Sequence, residues 1–119
     1  MDTKKIQKIL RNFAKKRDWE QFHSLKNLAI SINLEASELL EIFQWEDDEK
    51  INSQIKKNDF QKNVSEEVAD IILYVLRFSD IAGINIEKSC IDKIKKNEKK
   101  YPIVLSKGKS TKYNKFPKN

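Results

Sequence analysis

The sequence predicts an all-α fold built on four helices, and three observations carry that prediction. Only two Gly and two Pro occur among 119 residues, too few for a chain of strands and tight turns. Charged residues make up 35% of the chain, and Leu, Ile, Lys and Glu dominate it, a composition of strong helix formers. Apolar residues recur three and four positions apart through most of the sequence, the period of an amphipathic helix. One domain is expected at this length, with a modest core.

The first helix is expected over residues 3–18, where Ile6, Ile9, Leu10 and Phe13 share a face and Thr3 is placed to cap it. Residues 19–23 form a short connection. A second, longer helix over 24–45 has Ser24 at its N-cap. Leu25, Leu28, Ala29, Ile32, Ala36, Leu39, Ile42 and Phe43 give it a broad apolar face, which Ile30, Leu34 and Leu40 extend almost all round. A helix apolar on most sides is either buried or placed at a subunit contact. Residues 46–58 are polar and aperiodic, and read as a loop with at most one helical turn. The third helix, 59–82, rests on Phe60, Val64, Val68, Ile71, Ile72, Val75, Leu76 and Phe78, and Gly83 ends it. Asn85 caps a fourth helix over 86–100, with Ile91 and Ile94 on its inner side, and Pro102 stops it. The domain organisation expected is therefore a helical domain over 1–102 and a basic, extended tail over 103–119.

Several function classes are excluded by composition. The single cysteine, Cys90, has no partner within the chain for a disulfide, and with one Cys and one His a thiolate or histidine zinc site within one chain is ruled out. The polar N-terminus lacks the apolar core of a signal peptide, and no apolar run is long enough to span a bilayer. A cytoplasmic protein with no membrane role is expected. The formal charge of +6 is uneven: residues 88–119 carry a net +9, and residues 1–87 a net −3. A basic end of this kind suits a phosphate-rich small ligand, nucleic acid or simple solubility.

The carboxylates are the informative feature. Glu35 and Glu38 lie on the second helix, Glu67 and Asp70 on the third, each pair spaced i, i+3 and so on one side of its helix. Each pair sits inside the most apolar stretch of its helix. Desolvating a carboxylate costs several kcal/mol (about that order per ion) unless its charge is neutralised. Lys26 is the only basic residue between Ser24 and Trp45, so no buried Arg or Lys is expected to offset the four acids. A hard divalent cation resolves the conflict, and an all-oxygen ligand set suits Mg2+, with Mn2+ as a substitute. A di-iron bundle also uses carboxylates on facing helices, but it calls for Glu-x-x-His pairs, which are absent here.

The stretch Glu35-Ala36-Ser37-Glu38, followed by Glu67-Val68-Ala69-Asp70, resembles the ExxE…ExxD signature of the MazG-like all-α nucleoside triphosphate pyrophosphatases. The blocks RDWEQFH (17–23), ELLEIFQW (38–45), EEVADIILYVL (66–76) and KNEKKYP (96–102) look most like the dCTP pyrophosphatase subgroup, in the same order. The resemblance implies a MazG-like four-helix bundle completed by oligomerisation, as a homotetramer or homodimer. It implies hydrolysis of a nucleoside triphosphate to the monophosphate and pyrophosphate, with Mg2+ held by Glu35, Glu38, Glu67 and Asp70. It also implies substrate contacts from Trp19 and Trp45 around the base, from His23, and from Tyr74, Lys93 and Asn97 at the phosphates or sugar. Two positions depart from the pattern: Leu10 replaces a pocket histidine of some members, and Ile32-Asn33-Leu34 replaces a glycine-containing approach to Glu35.

A catalytic carboxylate not committed to metal can take the proton of the attacking water, and Glu38 and Glu41 are the two candidates. The competing reading is a nucleic-acid-binding helical module using Lys107, Lys109, Lys112, Lys115 and Lys118 with Tyr113 and Phe116 interleaved. Against it, the rest of the chain is acidic and has no recognisable helix-turn-helix spacing.

Overall fold

A computed structural model describes residues 1–117; Lys118, one of the tail lysines, and Asn119 lie outside the described residues. The chain is helical, with no strand among the described residues: α1 Thr3–Lys16, α2 Leu25–Phe43, α3 Asp48–Gln54, α4 Asn58–Ala82, α5 Ile86–Lys100 and the single turn α6 Ile103–Ser106. Two 3-10 turns, Glu20–Phe22 and Tyr113–Lys115, complete it. The residues form two compact units, Met1–Ile84 and a second beginning at Asn85. No helix among the described residues is long and apolar enough to cross a membrane.

The helix ends follow local chemistry. Ser24 and Asn85 cap α2 and α5 through their side chains, accepting from the N–H groups of Asn27 and Lys88. At α1 the cap is Asp2, whose carboxylate accepts from Lys5 N–H at 3.0 Å, so Thr3 is the first helical residue and not the cap. Gly83 closes α4 in the left-handed conformation (φ 70°), and the Ile84 N–H donates back to the Ser79 carbonyl at 2.9 Å. Asp18 makes the same turn after α1 at φ 53°, with Trp19 N–H donating to the Ala14 carbonyl at 2.9 Å. The short acidic side chain tolerates this backbone, and the turn fixes Trp19 at the start of the next segment.

The stretch expected as a loop, 46–58, contains the two-turn helix α3. Asp47 caps it, accepting from Lys50 N–H at 2.8 Å, and Asp48 and Glu49 stand in its first turn, where acids favour the helix dipole. The helix rests on end effects more than on an apolar face, which is why periodicity missed it.

In the first unit α4 is the central element, packing against both α2 and α1. Gln7 on α1 donates to the Leu76 carbonyl at 3.0 Å, and Arg11 pairs with Asp80 at 2.7 Å. The core is small: Ala14, Leu28 and Leu76 are the buried apolar residues, one from each of the three helices. Leu28→Ala is therefore expected to cost about 2–4 kcal/mol, read from urea unfolding with an unchanged m-value.

The second unit is organised by Tyr101. Its ring meets Tyr113 and Phe116 edge-on, at 6.1 and 5.7 Å between centroids, and the Lys100 ammonium lies 4.7 Å from the Tyr113 centroid. Residues 103–117 are thus not simply extended: they carry two helical turns and fold back on the end of α5. Ile91 and Ile94, expected on an inner side, are about half exposed in the single chain.

Candidate metal centre

The packing of α2 along α4 brings the two i, i+3 acidic pairs together. One carboxylate oxygen from each of Glu35, Glu38 and Glu67 lies within 4.8 Å of the others, close enough for a single cation to bridge all three. Glu35 and Glu67 are half-buried, Glu38 and Asp70 exposed. Glu35 Oε2 and Glu67 Oε2 are buried and find no hydrogen-bond donor among the described residues. Orphaned carboxylate oxygens converging from two helices are what a cation would satisfy, and the oxygen-only donor set fits a hard one. Asp70 stands outside the three-oxygen group, yet its charge acts on both Glu35 and Glu67.

The electrostatics carry the signature of an unneutralised cluster. The Glu35 carboxyl is pushed up from 4.5 to about 7, first by burial, then by the neighbouring Glu38 carboxylate, then by the charges of Asp70 and Glu67. Glu67 is raised by burial, by Glu38, and by the charges of Asp70 and Glu66. The sign of the consequence is fixed. Between 4.5 and about 7 the folded, metal-free protein keeps a proton on Glu35 that the unfolded chain has released. The contribution of this carboxyl to stability falls as pH rises through that window. Thermal unfolding in a chelator should show this decline, and a divalent cation should remove it, because binding discharges the proton; a flat profile without metal would contradict the clustered geometry.

Beside the three carboxylates lies an open cavity of about 410 Å³, lined by Glu38, Glu41, Ile42, Asn63, Glu66 and Glu67. It contains both candidates for the general base. Asn63 and Glu66 were not singled out from sequence. The available signal was spacing, since Asn63 precedes Glu67 by one helical turn and shares its side of α4.

The other candidate residues occupy different surroundings. Trp19 is 44% exposed and packs edge-on against Phe13 at 5.6 Å. His23 Nδ1 accepts from Arg77 Nε at 3.1 Å; burial and the Arg77 charge lower its pKa against the opposing pull of Glu20, so the imidazole is held neutral. Arg77 corrects the expectation that the chain holds no buried basic group: it is 8% exposed. Its partners, however, are His23 and, at 3.7 Å, Asp80. Trp45 follows α2 at 86% exposure, and Tyr74 is half-buried on α4, one turn beyond Asp70. Neither tryptophan lines the acidic cavity, nor do His23 and Tyr74. Lys93 and Asn97 stand exposed on α5 of the second unit, one turn apart.

The chain is similar to known proteins over most of its length. A family model described as the MazG-like family matches residues 30–116, a span that includes both acidic pairs. The dCTP pyrophosphatase 1 of Rattus norvegicus is 32% identical over 113 residues, covering 95% of this chain and 66% of that protein. The Bos taurus protein of the same name is 33% identical over 112 residues, with coverages of 94% and 66%. The chain thus spans just under two thirds of the length of these curated relatives. The crystal structure of a pyrophosphatase from Archaeoglobus fulgidus matches with a TM-score of 0.78 and 39% identity, over 86% of this chain and 94% of that one. Two helices carrying ExxE and ExxD, packed so that their carboxylates converge, together with a family match over most of the chain, place the protein in the MazG-like family.

Proposed function

We propose that the protein is a Mg2+-dependent nucleoside triphosphate pyrophosphohydrolase that converts a (d)NTP and water to the (d)NMP and pyrophosphate. Its preferred substrate is dCTP or a related or modified pyrimidine deoxynucleotide, by analogy with the relatives named above. The observation that carries the reading is the convergence of Glu35, Glu38 and Glu67 from two helices, with two buried oxygens unpaired.

Glu35, Glu38 and Glu67, with Asp70 at the rim, would hold the metal. Bound there, Mg2+ supplies charge neutralisation for the phosphates and makes the α-phosphorus more electrophilic. The chain's own residues do the rest. Glu41 lines the cavity without belonging to the three-oxygen group, so its carboxylate is free to accept the proton of the attacking water. Glu38 serves that role only if its second oxygen stays off the metal. Trp19 and Trp45 offer apolar rings for a base, while His23, neutral and with Nδ1 occupied by Arg77, offers only an N–H to a substrate acceptor. Tyr74, Lys93 and Asn97 supply further donors for sugar or phosphate.

The deciding assay is pyrophosphate release from a panel of ribo- and deoxynucleoside triphosphates, with Mg2+, with Mn2+ and with chelator. Metal-dependent release of pyrophosphate with a pyrimidine deoxynucleotide preferred is the expected result. Release of orthophosphate instead, or no turnover with any nucleotide, would reject the reading.

A further inference from the structure

Arg77 is a buried charge that the acidic cluster does not use. It lies on α4 at 8% exposure, about two helical turns beyond Asp70. Its Nη1 is 3.7 Å from Asp80 Oδ2, and Arg11 of α1 holds the other Asp80 oxygen at 2.7 Å. Its Nε donates to His23 Nδ1 at 3.1 Å. The connection that ends at His23 is otherwise hydrogen-bonded only locally. The Trp19 N–H donates to the Ala14 carbonyl, the Phe22 N–H to Trp19 and the His23 N–H to Glu20, while the Asn27 carboxamide donates to the Phe22 carbonyl. Among the described residues, Arg77 to His23 is the one hydrogen bond that joins this connection to α4.

We propose that Arg77 is a positioning residue for nucleotide binding that acts through His23, tying the Trp19–His23 connection to α4 and fixing the imidazole proton on Nε2. The inference rests on the proposed hydrolase reading, in which Trp19 and His23 contact the substrate. A guanidinium has donors and no acceptor, so the Nδ1 it meets must offer a lone pair. The single proton of the neutral ring then sits on Nε2, the nitrogen left to a ligand. Protonating the ring removes the acceptor and sets an imidazolium against a guanidinium, so the tie is lost in acid. Two charges act on the ring: Arg77 from α4 and Glu20 from its own turn. Burial and Arg77 lower its pKa, and Glu20 opposes them. Asp80 and Arg11 act on Arg77 and reach the ring only through it. Space-filling alone does not call for a cation here, since an apolar side chain at 77 would pack without the desolvation cost of a buried guanidinium.

The chain has one histidine, so proton–nitrogen correlation NMR reads its imidazole without ambiguity. In the full-length parent protein the proton should sit on Nε2, and the ring should titrate below the ordinary 6.5. Arg77→Met should mix the two tautomers and raise the midpoint, and Arg77→Lys, which keeps a charged donor, should recover most of both. Asp80 keeps Arg11 in either variant, so the fold should hold, and circular dichroism checks it. With dCTP and saturating Mg2+, Arg77→Met should raise KM about tenfold at neutral pH, the scale of one hydrogen bond to a charged group, with kcat changed far less. The ratio of the variant's KM to the parent's should fall towards one as pH drops through the parent imidazole's midpoint, because acid breaks the same tie in the parent. Taking the ratio cancels any titration at the carboxylates. A proton on Nδ1 in the parent, or an Arg77→Met protein with the parent's tautomer and midpoint, would overturn the assignment. So would a KM ratio that does not change with pH, the result of a merely structural role. The NMR arm needs no nucleotide, so an absence of turnover would reject the hydrolase reading separately from the Arg77–His23 arrangement.

Discussion

Glu38→Gln is expected to abolish Mg2+-dependent pyrophosphate release while leaving the metal-free helical fold intact or slightly more stable. Glu38 is the hinge of the acidic cluster. It shares the three-oxygen group with Glu35 and Glu67, and among neighbouring carboxylates it does most to raise both of their pKa values. An amide oxygen keeps the shape of the side chain but gives up the charge that a hard cation requires. Activity should fall by at least two orders of magnitude, on the scale of removing one strong electrostatic group from an active site. Without metal, the same change relieves repulsion, so the melting temperature in chelator should hold or rise, whereas the stabilisation given by added Mg2+ should shrink. Asp70→Asn should also lose activity. Its apo stability should respond less, because Asp70 lies outside the three-oxygen group. Near-parental turnover in Glu38→Gln would remove the metal-site assignment, whatever the melting curves showed.

Much of this site was legible because helical spacing converts directly into geometry. Glu35 with Glu38, and Glu67 with Asp70, had to share a side of their helices, and an apolar α2 had to pack on something. Sequence could not give the offset between α2 and α4, which is set by side-chain packing. That offset is why Glu35, Glu38 and Glu67 converge while Asp70 stands at the edge. It also hid Asn63 and Glu66, two polar residues whose importance depends only on which residues of α2 they face. Arg77 was obscured for another reason. In an apolar stretch it reads as an interruption, and its partners, His23 and Asp80, are known only once the segment after α1 folds onto α4. The helix α3 was missed because Asp47 and its two acidic neighbours specify a helix start without any apolar period behind it.

Self-association is the second large effect expected, and its evidence is apolar surface that one copy leaves uncovered. In the single chain Ile30 is 49% exposed, Leu34 57%, Leu40 56% and Val68 42%. Three of these stand on α2 and one on α4, the helices that carry the clustered carboxylates, and Leu34 is the immediate neighbour of Glu35 in sequence. Among the described residues only Ala14, Leu28 and Leu76 are fully buried apolar groups, so one copy supplies little core to offset the entropy of folding. Exposed apolar side chains on the helices that carry the carboxylates suit a contact, and a second copy related by two-fold symmetry would cover them without exposing a new edge. Sedimentation should therefore give a mass that is a multiple of 14.1 kDa, two or four copies. The double variant Leu34→Glu, Leu40→Glu should sediment as one copy, since paired charges in an apolar contact cost more than the contact returns. Its turnover should fall with its mass, because water then reaches the carboxylates from the side that the neighbouring copy had covered. A parental protein that sediments as a stable, fully active single copy would show that the exposed faces of α2 and α4 have no partner of their own kind.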